Sequence, residues 1–270
     1  MSSYENYTKT SKNYDKTREP VGTEVIVGCL AMARTPLSEM VLLDAGCGTG
    51  NYSVALLPHV KKIEAVDVNP GMISVASRKL SGGNVSFHES RIDELPFDDE
   101  SLDGAMINQV LHHLPDETSD GFPAHRATIR EVSRVLKPGG VLTINTCSRE
   151  QLSAGYWYYS LIPEATEELR SRYAPLEVLV EILEDCGFER RGRFAPTGAT
   201  VQGESYFDPR GPLKEEWRDG DSAWSLASEA ELEHALSRVR SIEEPEEYIA
   251  RKDARRPEIG QVTVLYAVRV

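Results

Sequence analysis

The stretch Asp44-Ala45-Gly46-Cys47-Gly48-Thr49-Gly50 constrains this chain more than any other feature. It follows the apolar run Val41-Leu42-Leu43, which reads as a buried strand. Alternate glycines let the backbone turn sharply and let a ligand approach without meeting a Cβ. Residues Asn51 to Leu57 read as a helix stopped near Pro58. The loop therefore opens a helix, whose free N–H groups attract a negatively charged group. Strand, glycine loop and helix in that order point to an open α/β sheet that binds its ligand at the carboxyl ends of the strands.

The same alternation continues down the chain. Ile63 to Asp67 reads as a second strand ending in an acid, and Pro70 to Leu80 as a helix with proline in its first turn. Val85 to Phe87 and Leu102 to Ile107 read as strands, and Ala124 to Leu136 as a helix. Lys137-Pro138-Gly139-Gly140 reads as the turn before a fifth strand, Val141 to Asn145. Later, Leu176 to Cys186 is a helix closed by Gly187, Phe188 to Phe194 a strand, and Val262 to Val270 the last strand. Helices from Val21 to Ala33 and from Glu229 to Val239 complete the pattern. The expectation is a doubly wound, mainly parallel sheet. One domain spans residues 1–270, with residues 1–34 as an N-terminal helical lid and 195–260 as a helical cap inserted before the last strand.

Charge narrows the partners. Thirty Lys and Arg stand against 43 Asp and Glu, a formal net charge of −13, which repels phosphate backbones and argues against nucleic acid. The short basic runs at Arg190 to Arg193 and Arg251 to Arg256 read as solvated faces. No segment has the length of a membrane span, and the first residues lack an apolar signal core, so no membrane partner and a cytoplasmic location are expected. Cys29, Cys47, Cys147 and Cys186 are far apart and indicate neither disulfides nor a metal site.

Two ligand classes compete for the glycine loop. The spacing is G-x-G-x-G, and Asn51 stands where the dinucleotide fingerprint needs glycine. Asp44 before the loop opposes a pyrophosphate and favours a cation. S-adenosylmethionine carries an ammonium and a sulfonium and no phosphate. Asp67 is placed to accept both ribose hydroxyls, a feature that dinucleotide sites share.

Further elements follow in order: Glu94-Leu95-Pro96-Phe97, Asn108-Gln109-Val110-Leu111-His112-His113-Leu114 and Arg134-Val135-Leu136-Lys137-Pro138-Gly139-Gly140. Taken together, the set resembles the class I S-adenosylmethionine-dependent methyltransferases, in particular the small-molecule group that includes the ubiquinone/menaquinone-biosynthesis type. The resemblance covers roughly Tyr14 to Phe188 and the final strand. It implies a Rossmann-like seven-stranded sheet with one antiparallel strand near the edge.

The resemblance also implies roles. Asp44 would lie near the methionine ammonium, with Gly46, Gly48 and Gly50 bordering methionine and ribose. Asp67 would hold the ribose, and Val68 and Met72 would pack beside the adenine. An acid usually reads the adenine amino group just before Leu95, but Arg91 stands there and cannot accept a hydrogen bond. Backbone groups around Ile92, or Asp93, would take its place. Asn108 would offer its carbonyl to the ammonium. Tyr14 and Arg18, within a Tyr-Asp-x-x-Arg element, would close over the methionine and pair with its carboxylate.

Methyl transfer from a sulfonium is an in-line displacement, for which a protein mainly aligns the reactants and excludes water. His112 and His113 follow the fourth strand and are the candidate bases. Tyr156, Trp157, Tyr159 and Trp217 are candidates for the wall of a pocket that takes a planar or cationic acceptor. The expected product is S-adenosylhomocysteine together with a small molecule methylated on O, N or S, made by a monomer or homodimer. Two other readings stay open: a catalytically inactive methyltransferase-like binding protein, and a nucleotide-dependent oxidoreductase.

Overall fold

The computed structural model describes residues 17–116 and 121–270. Its strands are β1 (Val41–Ala45), β2 (Lys62–Asp67), β3 (Val85–Glu89), β4 (Leu102–Asn108), β5 (Leu136–Thr146), β6 (Phe188–Phe194) and β7 (Thr263–Arg269). They form one sheet in the order β3-β2-β1-β4-β5-β7-β6. Pairing is parallel from β3 through β5, and β7 runs antiparallel to both β5 and β6. The expected architecture and the position of the antiparallel strand are both found.

The interior strands are continuous apolar runs because helices cover both faces. Every residue of β4 is buried. One core packs the sheet against the helices Pro123–Val135 and Leu176–Asp185. On the first of these helices Ile129, Val132 and Val135 recur at helical spacing and are fully buried. Each contributes roughly 1.5–3 kcal/mol relative to an exposed position. A second core, with the helices Thr23–Leu30 and Asn51–Leu56, covers the opposite face. Ile26 and Leu30 are fully buried there, so the described part of the N-terminal segment is a packed wall of the sheet.

Leu136 begins β5 directly at the end of its helix, and Lys137 to Gly140 loop out as a register shift between the pairs Leu102–Leu136 and Gly104–Val141. The expected turn is thus an irregularity inside a longer strand. β6 stands at the sheet edge and exposes Arg190, Arg191 and Arg193. Charges on an edge strand oppose pairing with another chain. Arg255 is an exposed partner of Glu150, whereas Arg256 is buried against Asp253.

A third core lies beyond the sheet. It joins Trp157, Tyr158, Leu161 and Leu169 to Tyr206, Trp217, Trp224, Ala235 and Val239 from the long segment before β7. The helix Arg149–Ala154 leads into it, closed by a capping box between Ser148 and Gln151. Among the described residues no helix is long and apolar enough to cross a membrane.

Candidate active site

Strand order reverses between β1 and β4, the switch point at which open α/β sheets hold ligands. A cleft of about 310 Å³ opens there. Asp44, Asp67 and Asn108 sit at the carboxyl ends of β1, β2 and β4, and all three line it. The glycine loop follows β1. Gly46 has φ 80°, and a Cβ there would stand 2.6 Å from a Val110 methyl. Gly48 has φ 52°, and a Cβ there would meet nothing, pointing into open space beside the cleft. Gly46→Ala is therefore expected to cost about 1–3 kcal/mol of stability in chemical denaturation. Gly48→Ala is expected to show its larger effect in ligand affinity; equal stability losses with unchanged affinity would refute the distinction.

Asp67 is locked from both sides. Its Oδ2 accepts from the Gly48 N–H at 2.8 Å and its Oδ1 from the Asn69 N–H at 2.8 Å. Burial pushes its carboxyl above the ordinary range, against those hydrogen bonds. Asn69 caps the helix Pro70–Lys79 by accepting from Gly71 and Met72, which sets Met72 at the cleft wall. Val68 also lines the wall but stays about one-third exposed, 36%.

Asp44 is 1% exposed, and its Oδ2 accepts from the Ser53 hydroxyl at 2.6 Å. Burial pushes its carboxyl up to about 7; the Ser53 bond lowers it, and the Asp67 charge adds to the rise. A cation in the cleft would reverse that shift. Asn108 is 8% exposed, and neither its Oδ1 nor its Nδ2 has a hydrogen-bond partner among the described residues. Buried amides are rarely left unpaired. The carboxylates, the open loop and this amide fit a ligand with an ammonium and a ribose.

Arg91, Ile92 and Asp93, the segment expected beside an adenine, follow β3 at the cleft. Arg91 is exposed and grips Asp93 through one guanidinium edge, Nε and Nη2 donating to its two oxygens at 2.8 and 2.5 Å. That pair holds the Asp93 carboxyl below its ordinary value. Ile92 and Asp93 both line the cleft. Further back, Arg134 donates to the Leu95 and Phe97 carbonyls, and Glu131 accepts from the Leu95 N–H. This tie joins the Leu-Pro-Phe and Arg-Val-Leu-Lys-Pro-Gly-Gly elements in space.

At the opposite end stand His112, His113, Tyr156, Tyr159 and Tyr173. His112 stacks on Tyr173 with ring centroids 4.3 Å apart and lies 4.0 Å from the His113 ring. Burial drives the His112 pKa well down and takes His113 to about 3; neighbouring charges, including Arg18, add to both. Both imidazoles are neutral at physiological pH. Tyr156 and Tyr159 stack at 4.6 Å, and burial holds both phenols protonated.

Trp157 and Trp217, expected at this pocket, lie elsewhere. They are 1% and 3% exposed within the third core, where their indole N–H groups donate to the carbonyls of Tyr206 and Ser205. The tight turns of Trp157–Leu161 send Tyr156 and Tyr159 to the cleft and Trp157 inward. Arg18 reaches the cleft, while Tyr14 falls outside the described residues. Sequence reasoning missed Gln109 and Tyr173. Gln109 adopts φ 55°, uncommon without glycine, and its side chain joins Asn145, Tyr173 and Cys147. Its place directly after Asn108 was a usable signal; Tyr173 had none.

This sheet order, with a cleft at its switch point, agrees with the fold that the resemblance to the class I methyltransferases implied. Residues 43–144 match the family model described as "Methyltransferase domain". The demethylmenaquinone methyltransferase of Clavibacter sepedonicus is 32% identical over 142 residues, 51% of this chain and 55% of that protein. The ubiquinone/menaquinone biosynthesis C-methyltransferase of Vibrio parahaemolyticus is 29% identical over 185 residues, 59% of this chain and 68% of that one. With the first of these relatives, the chain spans little more than half of the relative's length. Among solved structures, a candidate methyltransferase of an antibiotic biosynthesis pathway from Anabaena variabilis aligns with a TM-score of 0.73. It is 21% identical and covers 94% of this chain and 100% of its own, a likeness of fold.

Proposed function

We propose that this chain transfers a methyl group from S-adenosylmethionine to a small-molecule acceptor. The observation that carries this reading is the buried Asn108 amide at the switch point, unpartnered among the described residues, which stands on the β4 side of Asp44 as Asp67 stands on its β2 side. When bound, the cofactor supplies an electrophilic methyl on a sulfonium. Asp44 would face its ammonium, Asp67 its ribose, and Met72, Val68 and Ile92 its adenine. His112, His113, Tyr156, Tyr159 and Tyr173 would enclose the acceptor and exclude water. Stacked rings and neutral polar edges suit a planar, uncharged acceptor whose nucleophile is O, N or S. The name of the Vibrio relative adds carbon to those atoms as a second reading. A cytoplasmic location and a monomer or homodimer go with this reading, and neither nucleic acid nor membrane is required by it.

The neutral imidazoles are suited to accept a hydrogen bond from a protonated acceptor. His112→Ala is expected to lower kcat by about 100-fold for a phenol. Because burial depresses both imidazole pKa values, saturated turnover should not fall as pH drops from 7.5 to 6. An acid limb near 6.5 at saturation would contradict this assignment. The reading as a whole is tested by titrating S-adenosylhomocysteine with NAD as control, then following methyl transfer to a panel of phenols, amines and thiols with product mapping. Binding of NAD in preference would replace it with the oxidoreductase reading; ligand binding without transfer to any compound would favour an inactive domain.

A further inference from the structure

Asp221 lies in the segment before β7, far in sequence from every cleft residue discussed so far, yet it is 3% exposed and surrounded by donors. Its Oδ2 accepts from the Tyr158 hydroxyl at 2.6 Å and its Oδ1 from the Ala223 N–H at 3.0 Å. The Tyr159 hydroxyl donates to both oxygens at 3.2 and 3.3 Å. Arg18 Nη2 stands 3.4 Å from Oδ2, and Arg18 Nε donates to the adjoining Gly220 carbonyl. Burying a carboxylate is costly unless it is paired and hydrogen-bonded, and here phenols, a backbone N–H and a guanidinium provide that. Two of those partners, Arg18 and Tyr159, line the cleft; Asp221 itself does not.

The described cleft wall contains two arginines, Arg18 and Arg91. Arg91 is an exposed fork bound bidentately by Asp93. Arg18 is the more enclosed of the two, with its side chain 18% exposed against 60% for Arg91, and a ligand carboxylate inside the cleft would meet it there. The orientation of that guanidinium is set by Gly220 and Asp221. We propose that Asp221 is a positioning residue, through which the segment before β7 orients Arg18 toward the carboxylate of the bound amino-acid moiety and Tyr159 toward the acceptor. This rests on the methyltransferase reading above and extends it: cofactor-carboxylate recognition depends on the inserted segment as well as on the sheet.

The test compares S-adenosylhomocysteine with its decarboxylated analogue, which keeps the ammonium, by calorimetry on the full chain. Asp221→Asn is expected to weaken the carboxylate-bearing ligand about tenfold and to leave the analogue unchanged. Asp221→Glu should restore part of the difference. In an Arg18→Gln background, Asp221→Asn should add no further loss for the first ligand. Equal losses for both ligands, or additive losses in the double variant, would overturn the proposal, since a merely structural role weakens both ligands alike. If Asp221→Asn does not fold, Asp221→Glu gives the reading: the proposal needs a loss confined to the carboxylate ligand that Arg18→Gln makes no larger, and equal effects on the two ligands defeat it. Wild-type protein that binds neither ligand would instead bring down the methyltransferase reading.

Discussion

Asp67→Ala is expected to weaken S-adenosylhomocysteine binding by on the order of 100-fold or more. Hydrogen bonds to a charged acceptor contribute about 1.5–3 kcal/mol each, and each 1.4 kcal/mol is tenfold in affinity. A carboxylate at the end of β2 can take two from a ribose. The variant also releases the Gly48 and Asn69 N–H groups that the carboxylate fixes, so the glycine loop loses its anchor. Asp67→Asn separates the two effects. Its amide oxygen can keep one backbone bond, so an intermediate loss is expected. Calorimetric titration checks the series, and an Asp67→Ala protein that binds within a few-fold of wild type would remove Asp67 from the cofactor site.

Asp44 should make the same binding pH-dependent. Its carboxyl is held near 7 by burial, so below that pH the ligand-free protein carries it protonated. A ligand ammonium beside it favours the carboxylate, and binding then releases a proton. Affinity is expected to rise by on the order of tenfold between pH 5.5 and 7.5 and to level off above. Proton release near pH 6 should appear as a buffer-dependent binding enthalpy. Asp44→Asn removes both signals and weakens binding on the order of 100-fold, as a charge pair at low effective dielectric requires. Stability moves the other way. A carboxyl raised in the folded state makes its stabilising contribution at low pH and loses it as pH rises toward 7. Ligand-free Asp44→Asn should therefore gain in melting temperature relative to wild type as pH rises from 5 to 8. A pH-independent affinity in the wild-type protein would show that the ligand cation lies elsewhere.

Much of the architecture was readable because its signals are local. Buried parallel strands are short apolar runs, and Asp44, one residue before the end of β1, with Asp67 and Asn108, the last residues of β2 and β4, all line the cleft. The alternate glycines announced a left-handed backbone, which Gly46, Gly48 and Gly50 adopt. Arg91 in place of an acid was visible as a departure, and the structure adds that it pairs with Asp93.

The pocket wall was a different matter. Tyr156, Trp157 and Tyr159 carry similar apolar surface in one short run, and nothing in their order distinguishes cleft from core. Only the placement of Trp157–Leu161 against the third core sends Trp157 inward while Tyr156 and Tyr159 face the cleft. Tyr173 reaches the cleft wall while stacking on His112 across 61 positions of sequence, and Asp221 meets Arg18 across 203. The sequence by itself determined the sheet, the glycine loop and the acids at its strand ends, because backbone conformation and periodic burial act between near neighbours. The tertiary structure alone decided which aromatics face the cleft and which residue before β7 meets Arg18, because those contacts arise between irregular segments whose meeting depends on how the whole chain packs.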